Sequence, residues 1–420
     1  MTDARISSAL VIGGGIVGLS CALRLQQAGF ATQLADPDER GQAPTWNNAG
    51  HIAIEQVEPL ASWATLRSVR KRLFSRGGAL DFRATDAGVA RWMVQFVAAS
   101  HPKRFAAGKE ALSALVAQAP AAWRALVADI GQPQLYSERG HIVVWESERS
   151  AAASREAWSR ADTGAATVRD LEQRELDALH LQLKVRLAGG IRFEKTAQLA
   201  DPPLLFQTLH DHFATAGGRW IRQSVTSLFK ENNKAGARFA NGERADTELI
   251  VVCAGVRSKA LMRDVGHEVP LIAERGYHLQ TPGSQAQGWW PELPPVVFED
   301  RSMIVTRFAQ TLRACSFVEF AHVNAPPDSR KWERLTKHVR DLGLPFGESP
   351  SRWMGARPTL PDYLPAIGRS RRAENLLYAF GHQHLGLTLG PATGQAIAAL
   401  ALGQPSGFSL TPFDVERFRS

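Results

Sequence analysis

Apolar and polar positions follow two periods along this chain, and the first change of period comes near its start. Ala9-Leu10-Val11-Ile12 is a short apolar run rich in branched side chains, which predicts a parallel strand buried on both faces. Glycines follow, then a small-residue helix from Leu19 to Gln27 and a second strand from Ala31 to Asp36. The helical period returns from Ala87 to Ile130, with Leu112, Leu115, Val116, Trp123, Leu126 and Val127 on one face and Pro120 as a kink or restart. Arg139 to Trp145 alternates as a strand, and Ser150 to Leu183 is polar and helix-like. Asp201-Pro202-Pro203 predicts a helix reaching about Ala216, with Asp201 as its cap, and a strand from Arg219 to Thr226. Val225 to Phe229, a turn at Asn232-Asn233, Ala237 to Ala240 and Asn241-Gly242 predict a small antiparallel hairpin set. It leads into Leu249 to Val256, a buried strand ending at Gly255. Strand-like pieces at Val296–Phe298, Met303–Phe308 and Leu312–Phe320 predict a second, antiparallel sheet, and Lys331–Leu342 a helix. The chain closes on another strand, glycine turn and helix, the helix from Ala392 to Leu402.

The glycine turn carries chemistry. Gly13, Gly15 and Gly18 give the spacing GxGxxG between a strand and a helix, and Asp36 ends the next strand at the spacing expected of a ribose-binding acid. Phosphates would sit at the helix N-terminus, where unpaired N–H groups and the helix dipole favour negative charge. This is the pattern of an adenine-dinucleotide site. Trp46-Asn47-Asn48-Ala49-Gly50-His51 follows as a turn whose N–H groups and Asn side chains can face a cofactor. The strand ending at Gly255 would line the carboxyl edge of the sheet, where ligands bind.

A chain of 420 residues suits two domains. The front, middle and end pieces place a dinucleotide domain at 1–85, 191–262 and 352–420, and a second domain at 86–190 and 263–351. No run reaches the ~18 apolar residues of a membrane-spanning helix, and the start lacks the basic region of a secretion signal, so cytoplasmic residence is the expectation. Cys21, Cys253 and Cys315 are too scattered for a disulfide framework or a metal set, and no metal is expected. A net charge of +8 suits an anionic substrate or an anionic membrane surface. No arginine stripe interleaved with aromatics points to nucleic acid. Leu66 to Arg76 is a basic amphipathic stretch, either a solvated helix or a membrane-surface contact.

In this order, Gly13–Gly18, Asn48-Ala49-Gly50, the helical block Trp92–Trp123, Arg139-Gly140-His141, Leu249–Gly255, Glu274-Arg275-Gly276-Tyr277-His278, Arg357-Pro-Thr-Leu-Pro-Asp362 and Gly381 to Gly394 resemble the D-amino-acid oxidase-like superfamily of FAD-dependent oxidoreductases. Within it the likeness is to the D-amino-acid dehydrogenase group. The resemblance implies an α/β fold: a glutathione-reductase-type FAD domain assembled from discontinuous segments, and an α+β substrate domain with an antiparallel sheet. It implies bound FAD, with cofactor contacts from Gly13, Gly15, Ile16, Val17, Gly18, Asp36, Asn47, Asn48, Ala49, Gly50, Val225, Ala254, Gly255, Gly381, Gly386, Leu387 and Thr388. Oxidation of a D-amino acid, including a cyclic one such as D-proline or hydroxyproline, passes hydride from the α-carbon to flavin N5 and leaves an imino acid. Arg357 would clamp the substrate carboxylate, with Arg275 as the alternative and Tyr277 adding a hydroxyl bond. His51, His278, His382 and His384 are candidates to take the amine proton. Glycine, sarcosine, another N-alkyl amino acid or a 2-hydroxy acid as substrate stays open, as do a non-catalytic flavin-binding subunit, a homo-oligomer, and peripheral contact with a membrane quinone. Two departures stand out. Ala356-Arg357 occupies the place where members with covalent flavin carry cysteine, so noncovalent FAD is expected. His382-Gln383-His384 carries more imidazole than the family pattern.

Overall fold

The computed structural model describes residues 7–38, 41, 43–83 and 87–418. Ser8–Ile12, with four of its five residues buried, takes a central place in a six-stranded sheet. Ala31–Ala35 and Leu249–Val252 flank it, both parallel. Arg219–Ile221 extends the sheet on one side, and Leu376–Phe380 followed by antiparallel Ala366–Arg369 on the other. Parallel strands need cover on both faces. Here Ala9, Val11 and Val251 pack with residues of the helices Ile16–Gln27 and Gly386–Ala401, while Leu10, Ile12, Ile250 and Val252 pack with the hairpin set from Val225 to Ala245 and the short helix Ser258–Asp264.

The first and last long helices meet through residues without bulk. A Cβ on Gly394 would stand 2.6 Å from the backbone of Ser20, and one on Gly390 3.0 Å from Ile16. The last helix starts at Gly386, earlier than the expected Ala392, and runs through Pro391. Proline lacks the N–H that would reach back to the Leu387 carbonyl. Trp123 Nε1 donates to that carbonyl instead, at 3.1 Å. A side chain from another helix thus supplies the bond that proline removes.

The second sheet has nine strands, from Ser351–Thr359 through Ile272–Pro282 and Thr311–Phe320 to His141–Trp145, Gly189–Glu194 and Thr167–Asp170. It is mixed: most pairs are antiparallel, but Val296–Phe298 lies parallel to His141–Trp145, and Leu80–Phe82 parallel to Thr311–Phe320. Arg275 pairs with Glu319 and Tyr277 with Ser316, so Phe317 and Val318 together face Gly276 in a β-bulge. Phe317 takes φ +71°, a left-handed conformation costly for a side chain of that size.

The sheets do not follow the expected domain boundaries. Leu80–Phe82 and Ser351–Thr359 belong to the second sheet, and Gly189–Glu194 joins it as a whole, although the boundaries at 85, 190 and 351 assign or cut them otherwise. The expected helical block is three helices, Ala87–Ala99, Pro102–Val116 and Ala119–Asp129, and the last two share a core with the first and last helices of the dinucleotide unit. The stretch 102–129 is also long and apolar enough by composition to cross a membrane, contrary to the expectation. Its apolar positions, Leu112, Leu115, Trp123 and Leu126 among them, are spent on that core. The basic stretch forms the helix Trp63–Arg72, capped by Ser62, with no fully buried residue; Leu66 and Val69 rest partly on a small core cluster.

Candidate active site

A cavity of about 940 Å³ runs from the glycine turn to the second sheet. At its dinucleotide end lie Gly13, Gly14, Gly15, Val17 and Asp36, with Val225, Ala254 and Gly255 across from them. Gly13 has φ +111°, and a Cβ there would strike the Cys253 carbonyl. The helix after it, Ile16–Gln27, has Gly15 at its N-cap; Ile16 N donates to Thr45 Oγ1 at 3.3 Å, and the other N–H groups of the first turn are available to an anion. Asp36 accepts from Gly14 N at 2.6 Å and Asp38 N at 2.7 Å. Burial pushes its pKa up, and these two donors draw it back. A helix start with available N–H groups, a glycine backbone open to close approach and a fixed carboxylate at the strand end fit the phosphates and ribose of FAD.

Four expected cofactor contacts sit just outside this wall. Gly18 lies under the Gly13 carbonyl, where a Cβ has no room, and Ile16 packs against Gly390. Gly50, at φ +69°, faces the Phe308 ring. Thr388 is fully buried and its Oγ1 accepts from Ala53 N at 2.9 Å. All four shape the cavity without lining it.

Asn47, Asn48 and Ala49 do line it, but not as expected. The Asn47 amide donates to Gly41 O at 2.9 Å, and Asn48 Oδ1 accepts from Gly50 N at 2.7 Å, so both side chains hold the loop itself. The loop carbonyls turn to the second sheet. Arg313 Nη1 donates to Asn48 O at 2.5 Å, His278 Nδ1 to Asn47 O at 2.9 Å, and Thr306 Oγ1 to Ala49 O at 2.8 Å.

At the far end Arg357 lines the cavity. Its Nη1 donates to Glu274 Oε1 at 3.1 Å and to the bulged Phe317 carbonyl at 3.3 Å. Glu274 is buried and also takes the hydroxyls of Thr359 and Tyr363, both at 3.1 Å. Gly276 gives the guanidinium room, since a Cβ there would stand 2.5 Å from Nη2. The arrangement anchors one side of a guanidinium fork and offers the remainder to the cavity.

Arg275 is turned away from the cavity, and Tyr277 touches its wall but spends its hydroxyl elsewhere. Arg275 is fully buried against Glu319 and the Ala325 and Pro326 carbonyls. The Tyr277 hydroxyl donates to Glu319 Oε2 at 2.7 Å and accepts from Asp328 N at 3.1 Å. Successive residues of a strand point to opposite faces, so a strand that gives His278 to the cavity sends Arg275 and the Tyr277 hydroxyl toward Glu319 on the other side, although Tyr277 still touches the cavity wall.

All four candidate histidines line the cavity, with different partners. His278 stacks on Trp353 and lies beside Arg313; burial, helped by that cation, lowers its pKa to about 3. His382 bonds the Thr393 hydroxyl at 3.0 Å, and burial holds it at about 3. His384 bonds the Gln56 amide oxygen, and burial holds it at about 4. His51 Nε2 donates to Glu55 Oε1 at 2.9 Å. The rings of His51 and His141 meet edge to face with centroids 4.5 Å apart. Glu55, His141, Gln56 and Trp353 line the cavity too, and the sequence reading gave none of them a role. His141 stood in the motif Arg139-Gly140-His141; for Glu55 the signal was the spacing His51-x-x-x-Glu55, which runs from the short strand His51–Ile52 into a turn, where spacing predicts little.

A dinucleotide cradle joined by one cavity to an arginine anchored on a buried carboxylate defines a flavin-dependent oxidoreductase that handles an acid. The family description "FAD dependent oxidoreductase" (DAO) matches residues 8–400, and the chain belongs to that family. It is 31% identical to a D-amino-acid oxidase of Bradyrhizobium diazoefficiens over 97% of this chain and 98% of that protein. It is 24% identical to a D-amino acid dehydrogenase of Helicobacter pylori over 93% and 94%. Glycine oxidase from Geobacillus kaustophilus shares the fold at TM-score 0.72 and 18% identity, covering 99% of both chains. Iminodiacetate oxidase from a Chelativorans species does so at TM-score 0.70 and 21% identity, covering 97% of this chain and 98% of that one.

The neutral histidines have a consequence for stability. Burial holds His141, His278 and His382 at about 3 and His384 at about 4. An unfolded histidine titrates near 6.5, so below that value the unfolded chain binds more protons than the folded one. Their contribution is complete above about pH 6.5 and is lost as pH falls toward 4, each histidine costing about 2 kcal/mol by about pH 5. The thermal midpoint of the FAD-loaded protein should therefore drop steeply between about pH 7 and 5. A midpoint flat across that window would show that these imidazoles titrate normally.

Proposed function

We propose that this chain oxidises the Cα–N bond of a D-amino acid, binding its carboxylate through Arg357. Bound FAD supplies the acceptor for the hydride that leaves the α-carbon. The observation that carries the reading is the guanidinium itself, which reaches the cavity from a strand edge and is steadied by Glu274 and the Phe317 carbonyl. A planar fork binds a carboxylate in two-point fashion and fixes the α-carbon behind it. The burial of the surrounding aromatics and imidazoles excludes water while the amine is oxidised. The imino acid is then hydrolysed by water, with no protein nucleophile needed. The names of the relatives support a D-amino acid. Anaerobic bleaching of the flavin against D- and L-amino acids, glycine and N-methyl amino acids tests the choice. Bleaching by L-amino acids alone would reverse it.

The reading includes noncovalent FAD held by the glycine turn and Asp36. Ala356 precedes Arg357, and Cys315, which does line the cavity, has its thiol pushed up to about 11 by burial. A thiol in that state is not a nucleophile at neutral pH. Acid precipitation should leave the yellow colour in the supernatant; colour in the pellet would contradict this.

The electron acceptor is assigned on the same terms to a membrane quinone. The helix Trp63–Arg72 buries no residue fully, exposes Trp63 at 48%, and presents Arg67, Arg70 and Lys71 to solvent. A basic helix with an exposed tryptophan suits an anionic bilayer. The FAD-loaded protein should cosediment with anionic liposomes at low salt and release at high salt. Absence of cosedimentation at low salt would leave the helix a solvated surface.

Arg357→Met should lower kcat/KM by about 3–5 kcal/mol, the cost of breaking a desolvated charge pair on one side. Arg357→Lys should recover part, because ammonium keeps the charge without the fork. FAD content should not change, and the Thr359 and Tyr363 hydroxyls remain to serve Glu274. Amino-acid amides should be poor substrates whose rates the substitution hardly alters. Equal losses on acids and amides would make Arg357 structural.

A further inference from the structure

We propose that His51 takes the proton from the substrate ammonium, with the Glu55 carboxylate orienting the ring and stabilising the charge it gains. The inference rests on the amino-acid reading above, because only an ammonium substrate must lose a proton before its α-carbon can give up hydride. Five histidines line the cavity: His141 backs His51, and the other three are poorly built to hold a proton. His278 donates to a carbonyl and lies beside the Arg313 cation. His382 has only a hydroxyl partner, and His384 only an amide oxygen. His51 alone has a carboxylate against its ring, with Nε2 bonded to Glu55 Oε1 at 2.9 Å. That bond fixes the tautomer. Nε2 keeps its hydrogen and Nδ1 presents a lone pair, and Nδ1 is buried with no partner among the described residues.

Glu55 is made for this position. Only 5% of it is exposed; burial pushes its carboxyl up, but the bond and charge of His51, the nearby His141 ring and a backbone hydrogen bond together outweigh burial and hold it at about 2. Its Oε2 has no partner among the described residues, so the carboxylate has capacity to spare when the ring becomes cationic. His141 closes the cluster with its ring 4.5 Å from His51, tied to Thr196 Oγ1 at 2.9 Å and held neutral at about 3, so it adds no competing charge. His384 also faces the pair, and burial keeps it neutral as well. The three donor sets of His51, Glu55 and His141 lie within 4.8 Å of one another. With His51 Nε2 and Glu55 Oε1 spent on each other, they form a hydrogen-bonded pair backed by a neutral ring. The balance is simple. One ammonium N–H bond breaks, its proton goes to His51 Nδ1, and nitrogen keeps the electron pair. The imidazolium returns the proton to water after the imino acid leaves. His51 is thus a catalytic residue, and Glu55 and His141 are positioning residues.

The test follows flavin reduction by rapid mixing in the FAD-loaded protein and its His51→Gln and Glu55→Gln variants, with a D-amino acid that bleaches the parent. At about pH 7 His51→Gln should lose 10²–10³-fold, and the gap should close to under about tenfold at about pH 10, where bulk solution supplies the neutral amine. Glu55→Gln, which is isosteric and spares the fold if His51→Gln does not, should lose about tenfold with the same recovery. Added imidazole should restore part of the rate in His51→Ala. Benzoate, a carboxylate with no amine, should bind the oxidised variants as it binds the parent, with FAD content unchanged. Each of these outcomes supports the assignment. A His51→Gln variant within twofold of the parent overturns it, as does a loss of equal size at every pH. Lost benzoate binding would reduce His51 to a structural residue. Activity that falls with a chelator and returns with a divalent cation would make the cluster a metal centre and end the proton assignment. If the parent itself is bleached by no amino acid, the substrate reading fails and this assignment falls with it.

Discussion

Everything in this site depends on two helices meeting where the last one contributes no side chain. The helix after the glycine turn comes from the start of the chain and the helix after Gly386 from its end, and they touch where Gly390 and Gly394 lie against Ile16 and Ser20. An added methyl at Gly394 would stand 2.6 Å from backbone. A core packed this closely gives little way. The contact brings Gly13–Asp36 and Gly381–Leu387, separated by most of the sequence, into the wall of one cavity. Trp123 then satisfies the carbonyl that Pro391 leaves bare, so the last helix can begin early enough to point its first turn at the site.

The second dependence is a clamp between the two sheets. Arg313, His278 and Thr306 hold the carbonyls of residues 48, 47 and 49. Arg313 is almost wholly buried and also bonds Gln280 Oε1 at 2.6 Å. Burying a guanidinium is costly unless its donors are used. Here they are used on a loop, and the loop gains a fixed shape next to the cofactor end of the cavity.

Local pattern revealed the first unit almost completely, because strand, glycine spacing and terminal acid all lie within one short stretch. Gly13, Gly15 and Asp36 could be read there for the same reason. The segmented dinucleotide fold was legible from strand–turn–helix signals recurring at the far end. Domain boundaries were not legible, since Leu80–Phe82 and Ser351–Thr359 join the second sheet through partners far away in sequence. Nor could sequence say that helices 102–129 would cover the dinucleotide unit instead of the second sheet. Their apolar face suits either neighbour, and composition alone also suits a membrane.

The strand Ile272–Pro282 shows where reading a motif residue by residue stops working. Glu274-Arg275-Gly276-Tyr277-His278 offers five consecutive candidates, but a strand sends the ends of neighbouring side chains to opposite faces, even where Tyr277 touches the cavity wall beside Gly276 and His278. Glu274, Gly276 and His278 share the cavity face: Glu274 holds Arg357, Gly276 makes space for it, and His278 clamps the loop. Arg275 and the Tyr277 hydroxyl reach the opposite face, where Glu319, Asp328 and Lys331 form a buried ion network. The alternation was available from the sequence; the choice of face was not, because both faces are buried and both carry arginine partners. What decides it is the bulge at Phe317, which turns a backbone carbonyl toward Arg357 and leaves Gly276 opposite with nothing to obstruct it. A backbone irregularity on the neighbouring strand therefore selects which of two arginines reaches the cavity, and that selection is made by register, a property no single segment contains.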